Sequence, residues 1–243
     1  MERPVHIVLG ASGGIGSEVA RRLAPGSRLV LAARSERLVA LAGELDATPV
    51  VLDAREPAEV ERCVKEAKQA HGRVDGIVNC VGSILLRPAH RTTPAEFDEV
   101  LATNLRSAFA AVRAAAPAMR ETGGSIVLVS SAAARTGLAN HEAIAAAKAG
   151  VEGLARAAAA SYAGWGVRVN AVAPGLVRTP LAAPLTENEG LRKASEAMHP
   201  LGRIGEPGDV ASAICWLLDP AQGWVTGQVL GVDGGLAPVR GRG

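Results

Sequence analysis

Short apolar, β-branched runs alternate with longer stretches of helical periodicity from one end of the chain to the other. The runs fall at residues 5–9, 28–32, 48–52, 75–79, 125–129, 167–172 and 227–232, and each predicts a strand. Between them, segments 14–24, 36–45, 57–70 and 143–163 predict helices, and 94–119 predicts one long helix or a broken pair. In 57–70 the apolar positions Val60, Cys63, Val64 and Ala67 recur at the spacing of one helix face. Pro25-Gly26 stops the first helix. Apolar strands alternating with helices imply βαβ crossovers and a parallel sheet covered on both faces. No linker, repeat or low-complexity tract divides the chain, so residues 1–243 are expected to form one domain. The one irregular stretch is 179–207, where prolines and charges break the periodicity. It reads as a lid or a surface excursion, and its length favours the lid.

Composition changes this picture in two places. Hydrophobic residues make up 48% but aromatics only 2%, so the core must be aliphatic and rich in alanine. The Ala-rich segments 107–119 and 143–164 carry Arg113, Lys148, Glu152 and Arg156, which makes them buried or interface helices rather than membrane spans. The net charge of +2, from 26 basic and 24 acidic residues, gives no field to draw nucleic acid or a membrane surface. Arg240 and Arg242 in the last residues read as a solvated tail. Cys63, Cys80 and Cys215 are odd in number and widely spaced, which suits free thiols in a reducing cytoplasm. No signal-peptide pattern is visible at the N-terminus.

Ligands of open parallel sheets bind beyond the carboxyl ends of the strands, at the switch in strand order. The first run ends in GASGGIG, the fourth in NCVG, the fifth in SSAA and the sixth in NAVAPG, so small and polar clusters gather at that edge. Gly10, Gly14 and Gly16, with Ser12 and Ile15 between them, form a turn that lets backbone N–H groups and a helix N-terminus approach a pyrophosphate. The second run ends in Ala33-Arg34, where an acid would hold an adenosine ribose and repel a 2′-phosphate. A guanidinium there suits that phosphate, which favours NADP(H) over NAD(H). Arg34 could also be a solvated residue leading into the next helix.

The glycine spacing and the segment Ser125–Leu154 together resemble the short-chain dehydrogenase/reductase family, and the resemblance runs over essentially the whole chain. It implies an α/β, doubly wound, Rossmann-like parallel sheet of about seven strands with helices on both faces. It implies that Asp53 contacts the adenine amino group, although Asp53 could equally cap the helix starting near Pro57. It also implies that Asn79 and Gly82 belong to the fourth-strand motif, written NCVG here, and that Asn104 holds a water beside Lys148. Asn170, Pro174, Gly175 and Thr179 match the run that holds the nicotinamide end, and Asp233-Gly234-Gly235 matches the close of the last strand. In such a site Ser131 holds a carbonyl oxygen, and Lys148 binds the nicotinamide ribose and lowers the pKa of a tyrosine. Where the resemblance places that tyrosine, this chain has Ile144, a hydrocarbon that can neither donate nor accept a proton.

His141, one helical turn before Ile144, is the candidate substitute, unless it sits in the preceding loop facing water. Tyr162, the only tyrosine, lies about 27 Å further along the same helix and reads as a packing residue. Cys80 reads as a small buried side chain. Three functions stay open. One is an NADP(H)-dependent oxidoreductase whose proton comes from His141, from water held by Asn104 and Ser131, or from the substrate. Another is a silent cofactor-binding subunit paired with an active homologue, and the third an isomerase or lyase using the same pocket. Keeping Ser131, Asn104 and Lys148 together favours the first. The resemblance implies a dimer or tetramer built on the Ala-rich helices, which fits a homo-oligomer and a pairing with a homologue equally. Leu181, Leu185, Leu191 and Met198 in the lid suggest a small-molecule substrate that is partly apolar.

Overall fold

A computed structural model describes residues 3–239, so Arg240 and Arg242 lie outside the described residues. Seven parallel strands run in the order β3-β2-β1-β4-β5-β6-β7. They are β1 (Val5–Leu9), β2 (Arg28–Ala33), β3 (Thr48–Val51), β4 (Gly76–Asn79), β5 (Gly124–Val129), β6 (Val167–Pro174) and β7 (Val229–Val232). The chain first winds outward to β3, then crosses back and continues from β4 on the other side of β1. The order therefore reverses between β1 and β4, whose last pair is Leu9 with Asn79. The doubly wound α/β expectation holds.

Alternate residues along each strand feed two separate cores, because successive side chains point to opposite faces. Leu9, Ile77, Ile126 and Val169 pack under α3 (Pro57–His71), α5 (Ser107–Ala118) and α6 (Glu142–Tyr162). Val8, Leu31, Val78 and Val127 pack under α1 (Gly14–Leu23), α2 (Arg37–Glu44) and α9 (Pro207–Leu218). Alanine supplies much of the first core, including Ala108, Ala111, Ala115, Ala155 and Ala159, so helix backbones lie close to the sheet.

Boundaries differ from the sequence reading where a local rule decides. Gly227 adopts φ +71°, outside the strand region, so β7 begins only at Val229. Segment 94–119 is a broken helix: α4 (Pro94–Leu101), capped by Thr93 and Glu96 in a capping box, passes through a π turn at Ala102–Arg106 before α5. No helix was read between 207 and 227, yet α9 is there, starting at Pro207 with Glu206 and Asp209 forming a reciprocal cap. Its buried Val210, Ala211, Ile214, Leu217 and Leu218 keep helical spacing, a signal hidden by the irregular residues before it. Within 179–207 the chain forms α7 (Ala183–Thr186) and α8 (Glu189–Met198). Tyr162 ends α6 and packs on Trp165 with ring centroids 5.1 Å apart.

Candidate active site

A cleft of about 380 Å³ opens over the carboxyl ends of β1, β2, β3 and β4. Gly10 has φ +76°, and a Cβ there would lie 2.9 Å from the Cys80 backbone. At Gly16 a Cβ would meet the Gly10 carbonyl oxygen at 2.3 Å, and at Gly14 the Thr179 methyl at 2.8 Å. The turn closes only without side chains. Helix α1 then starts with no side-chain cap and no acid in its first turn, so its leading N–H groups face the cleft as an anion site. Ser12 and Ile15 line the same cleft. A dinucleotide pyrophosphate fits this cradle on shape and on charge.

Away from the glycine turn the walls of the cleft are Ala33, Arg34 and Ser35 on one side and Leu52, Asp53 and Arg55 on the other. Asp53 is held by its neighbour: Arg55 Nη2 lies 2.6 Å from Oδ2, and Nη1 reaches Glu99 at 2.7 Å. That guanidinium keeps the Asp53 carboxyl below the usual carboxylate range. The Asp53 side chain therefore enters the cleft already paired, and its carboxylate caps no helix terminus. The sequence reading missed Arg55 because nothing local announces a pairing with α4, forty-four residues away.

Beyond the pyrophosphate cradle the polar groups change role. The amide of Asn79 is spent on structure, donating to Ser107 Oγ at 3.0 Å and accepting from Val81 N at 3.2 Å, and so shapes the loop to Gly82. At Gly82 an added Cβ would lie 3.2 Å from Asn104 Oδ1 and 3.5 Å from Lys148 Nζ, so these groups crowd one point beside the cleft. Asn104 sits in the π turn, donates to Val100 O and to Ser83 Oγ, each at 2.9 Å, and accepts from Ser83 N at 3.1 Å. Lys148 Nζ donates to Val129 O at 2.8 Å, and burial lowers its pKa to about 8. Burial pushes the Cys80 thiol up to about 12, so it is no thiolate nucleophile.

A second cleft of about 400 Å³ opens beside the strand ends of β5 and β6 and under α8. Ser131, His141, Ile144, Pro174 and Gly175 line it. Ser131 Oγ accepts from Ala133 N at 3.2 Å, which leaves its hydroxyl proton for another acceptor. His141 stands at the N-cap position of α6, neither deep in the helix nor fully in solvent, with Nδ1 2.8 Å from Ala139 O. Ile144 is 5% exposed and packs with Val100, Ala143 and Ala147. Thr179 lies at the other cleft, against Gly14.

Sequence reasoning also missed His199. Its Nδ1 lies 2.6 Å from Ser195 O, and its Nε2 accepts from Leu176 N at 3.3 Å, tying the end of α8 to the chain just past β6. A Cβ on Gly175 would meet His199 Nε2 at 2.5 Å, so Gly175 is needed for this approach.

Strand order, glycine cradle and the spacing of Ser131 to Lys148 define a dinucleotide-binding class of α/β oxidoreductase. The chain belongs to the short-chain dehydrogenase/reductase family, whose members use a nicotinamide cofactor. A family model described as enoyl-(acyl carrier protein) reductase matches residues 10–237. The 3-oxoacyl-(acyl-carrier-protein) reductase of Thermotoga maritima is 34% identical over 97% of this chain and 98% of its own. Levodione reductase of Leifsonia aquatica is 33% identical over 95% and 93%. Among solved structures, a short-chain type dehydrogenase/reductase from Mycobacterium ulcerans superposes with TM-score 0.94 at 32% identity, covering 99% of this chain and 92% of that one. An actinorhodin polyketide ketoreductase solved with NADPH gives TM-score 0.92 at 32% identity, with 98% of each chain covered. No helix among the described residues is long and apolar enough to cross a membrane.

Proposed function

We propose that this protein is an NADP(H)-dependent oxidoreductase acting on a carbonyl or alcohol substrate, with proton delivery that does not use a tyrosine. The observation that carries the reading is the convergence of Lys148, Asn104 and Gly82 at one point beside an intact glycine cradle. Decay of catalysis gives no reason to keep Asn104 hydrogen-bonded on both sides of its amide. The cofactor, when bound, supplies or accepts hydride. Gly10, Ser12, Gly14, Ile15 and Gly16 hold its pyrophosphate, and Arg34 its 2′-phosphate. Lys148 holds the nicotinamide ribose, while Pro174, Gly175 and Thr179 border the nicotinamide end. Ser131 donates a hydrogen bond to the substrate oxygen, and His141, whose Nδ1–H is held by Ala139 O, gives up the one proton of the reaction from Nε2 when the ring is in its doubly protonated form. Residues 179–207 act as the lid of a one-domain, cytoplasmic oligomer; the actinorhodin ketoreductase solved with NADPH supports the choice of cofactor.

A second reading has its own observation. Ile144 is packed as a core residue among Val100, Ala143 and Ala147, which suits a silent subunit that binds cofactor beside an active homologue. Cofactor titration followed by a turnover assay separates the two. NADPH should bind more tightly than NADH, and Arg34→Ala should weaken NADPH alone by about 1–3 kcal/mol, the worth of a charge-assisted contact. Equal affinities in the native protein would remove the Arg34 argument. NADPH oxidation with a ketone panel then supports the enzyme; tight binding with no turnover supports the silent subunit.

A further inference from the structure

We infer that the second cleft is built for an uncharged, largely hydrocarbon ketone with a single polar end, and that it rejects carboxylates and polyols. This deepens the proposed function by naming its substrate class, and it rests on that reading for the identity of the reacting group.

The first argument is charge. Among the described residues, no side chain lining the cleft carries a carboxylate, ammonium or guanidinium. A substrate carboxylate would lose its hydration there without gaining a counter-ion, which is costly in an apolar site. The polar side chains in the wall are two hydroxyls and two imidazoles. His199 has both ring nitrogens taken by Ser195 and Leu176, and His141 has Nδ1 taken by Ala139. A polyol would bury more hydroxyls than these groups can satisfy.

The second argument is the orientation of α8. Leu191, Ala194, Ser195 and Met198 line the cleft, at the spacing of one helical face. The charged residues of the same helix are paired among themselves instead, Lys193 with Glu189 and Arg192 with Glu196, each at 2.7 Å. Leu191 and Met198 are half exposed, at 50% and 51%, on the side that a ligand in the cleft would cover.

The third argument is the inner wall. Ile144 adds hydrocarbon to the wall that also holds Ser131, and the Ser131 hydroxyl, two residues past the end of β5, has its proton free for a ligand. One carbonyl oxygen meets that hydroxyl, and the rest of the ligand lies along Ile144, Leu176 and the apolar stripe of α8.

Calorimetric titration of the full protein, with and without saturating NADP+, which cannot reduce a ketone, tests this with methyl hexyl ketone, decalone, oxooctanoate and glucose. The two ketones should bind at least about tenfold more tightly than oxooctanoate or glucose, a difference equal to about 1.4 kcal/mol. Leu191→Asp, at a half-exposed position on α8, should weaken both ketones about tenfold and leave NADPH affinity and the melting temperature unchanged. Oxooctanoate or glucose binding as well as the ketones would overturn the inference, as would ketone binding indifferent to Leu191→Asp or absent altogether. NADPH affinity is read in parallel titrations without ketone. Ketone binding without NADPH binding would sink the proposed oxidoreductase while leaving the cleft assignment standing; NADPH binding without ketone binding would do the reverse.

Discussion

At position 144 one side chain separates an acid/base site from a hydrocarbon wall. On the roles proposed for Ser131, Lys148 and Asn104, Ile144→Tyr should raise carbonyl reduction by about 10²–10⁴, the scale of a positioned general acid. The ring enters a packed cluster, so a loss of about 1–3 kcal/mol in stability should accompany it. His141→Ala in the native background should lower whatever ketone reduction the protein has; unchanged rates would leave water or the substrate as the proton source. His6, on β1, has a different consequence. Burial lowers its pKa from 6.5 to about 4, against the opposing pull of Asp75. The unfolded chain takes up a proton near pH 6.5 and the folded one only near 4. Stability is therefore full above pH 6.5 and falls by about 2–3 kcal/mol as pH drops to 4. His6→Gln, which can keep the hydrogen bond to Ser27, should flatten that slope in urea titrations across this pH range.

Whole elements depend on glycines for opposite reasons. Gly16→Ala would press a methyl into the Gly10 carbonyl oxygen at the start of α1. We expect a loss of about 1–3 kcal/mol and of dinucleotide binding, read by thermal melting and NADPH titration. Gly43, in α2, has nothing within 4 Å of an added Cβ, so Gly43→Ala should gain about 0.5–1 kcal/mol and leave binding alone. The π turn between α4 and α5 adds a residue to the helix where Asn104 must reach both Val100 O and Ser83. Periodicity alone shows that 94–119 is broken or long; it does not place the extra residue.

For the molecule as a whole, the Ala-rich helices are half used. The inner faces of α5 and α6 fill the core, while Phe109 on α5 is 50% exposed. We expect these outer faces to pair with a second chain, giving a dimer or tetramer in light scattering at micromolar concentration. Phe109→Glu should shift the population towards smaller species. Co-purification with another short-chain dehydrogenase would favour the silent-subunit reading over the homo-oligomer.

The strand–helix alternation, the glycine turn and the Ser131–Lys148 spacing were legible in the sequence, because each depends on residues near one another along the chain. A short continuous apolar run makes a strand buried on both faces, and a glycine with positive φ makes a turn, whatever lies elsewhere. Helix α9 carried the same kind of signal in Val210, Ile214 and Leu217, and was missed behind the irregular stretch before it. The rest was decided only when distant segments met. Asp53 and Glu99 share Arg55 because the end of β3 lies against α4, and His199 joins α8 to Leu176 because residues 179–207 fold back over β6. Which face of α8 lines the cleft follows from that folding back, and position 144 is buried because α6 meets Val100 of α4. Those contacts join residues tens of positions apart, and no local pattern records which partner a side chain will meet.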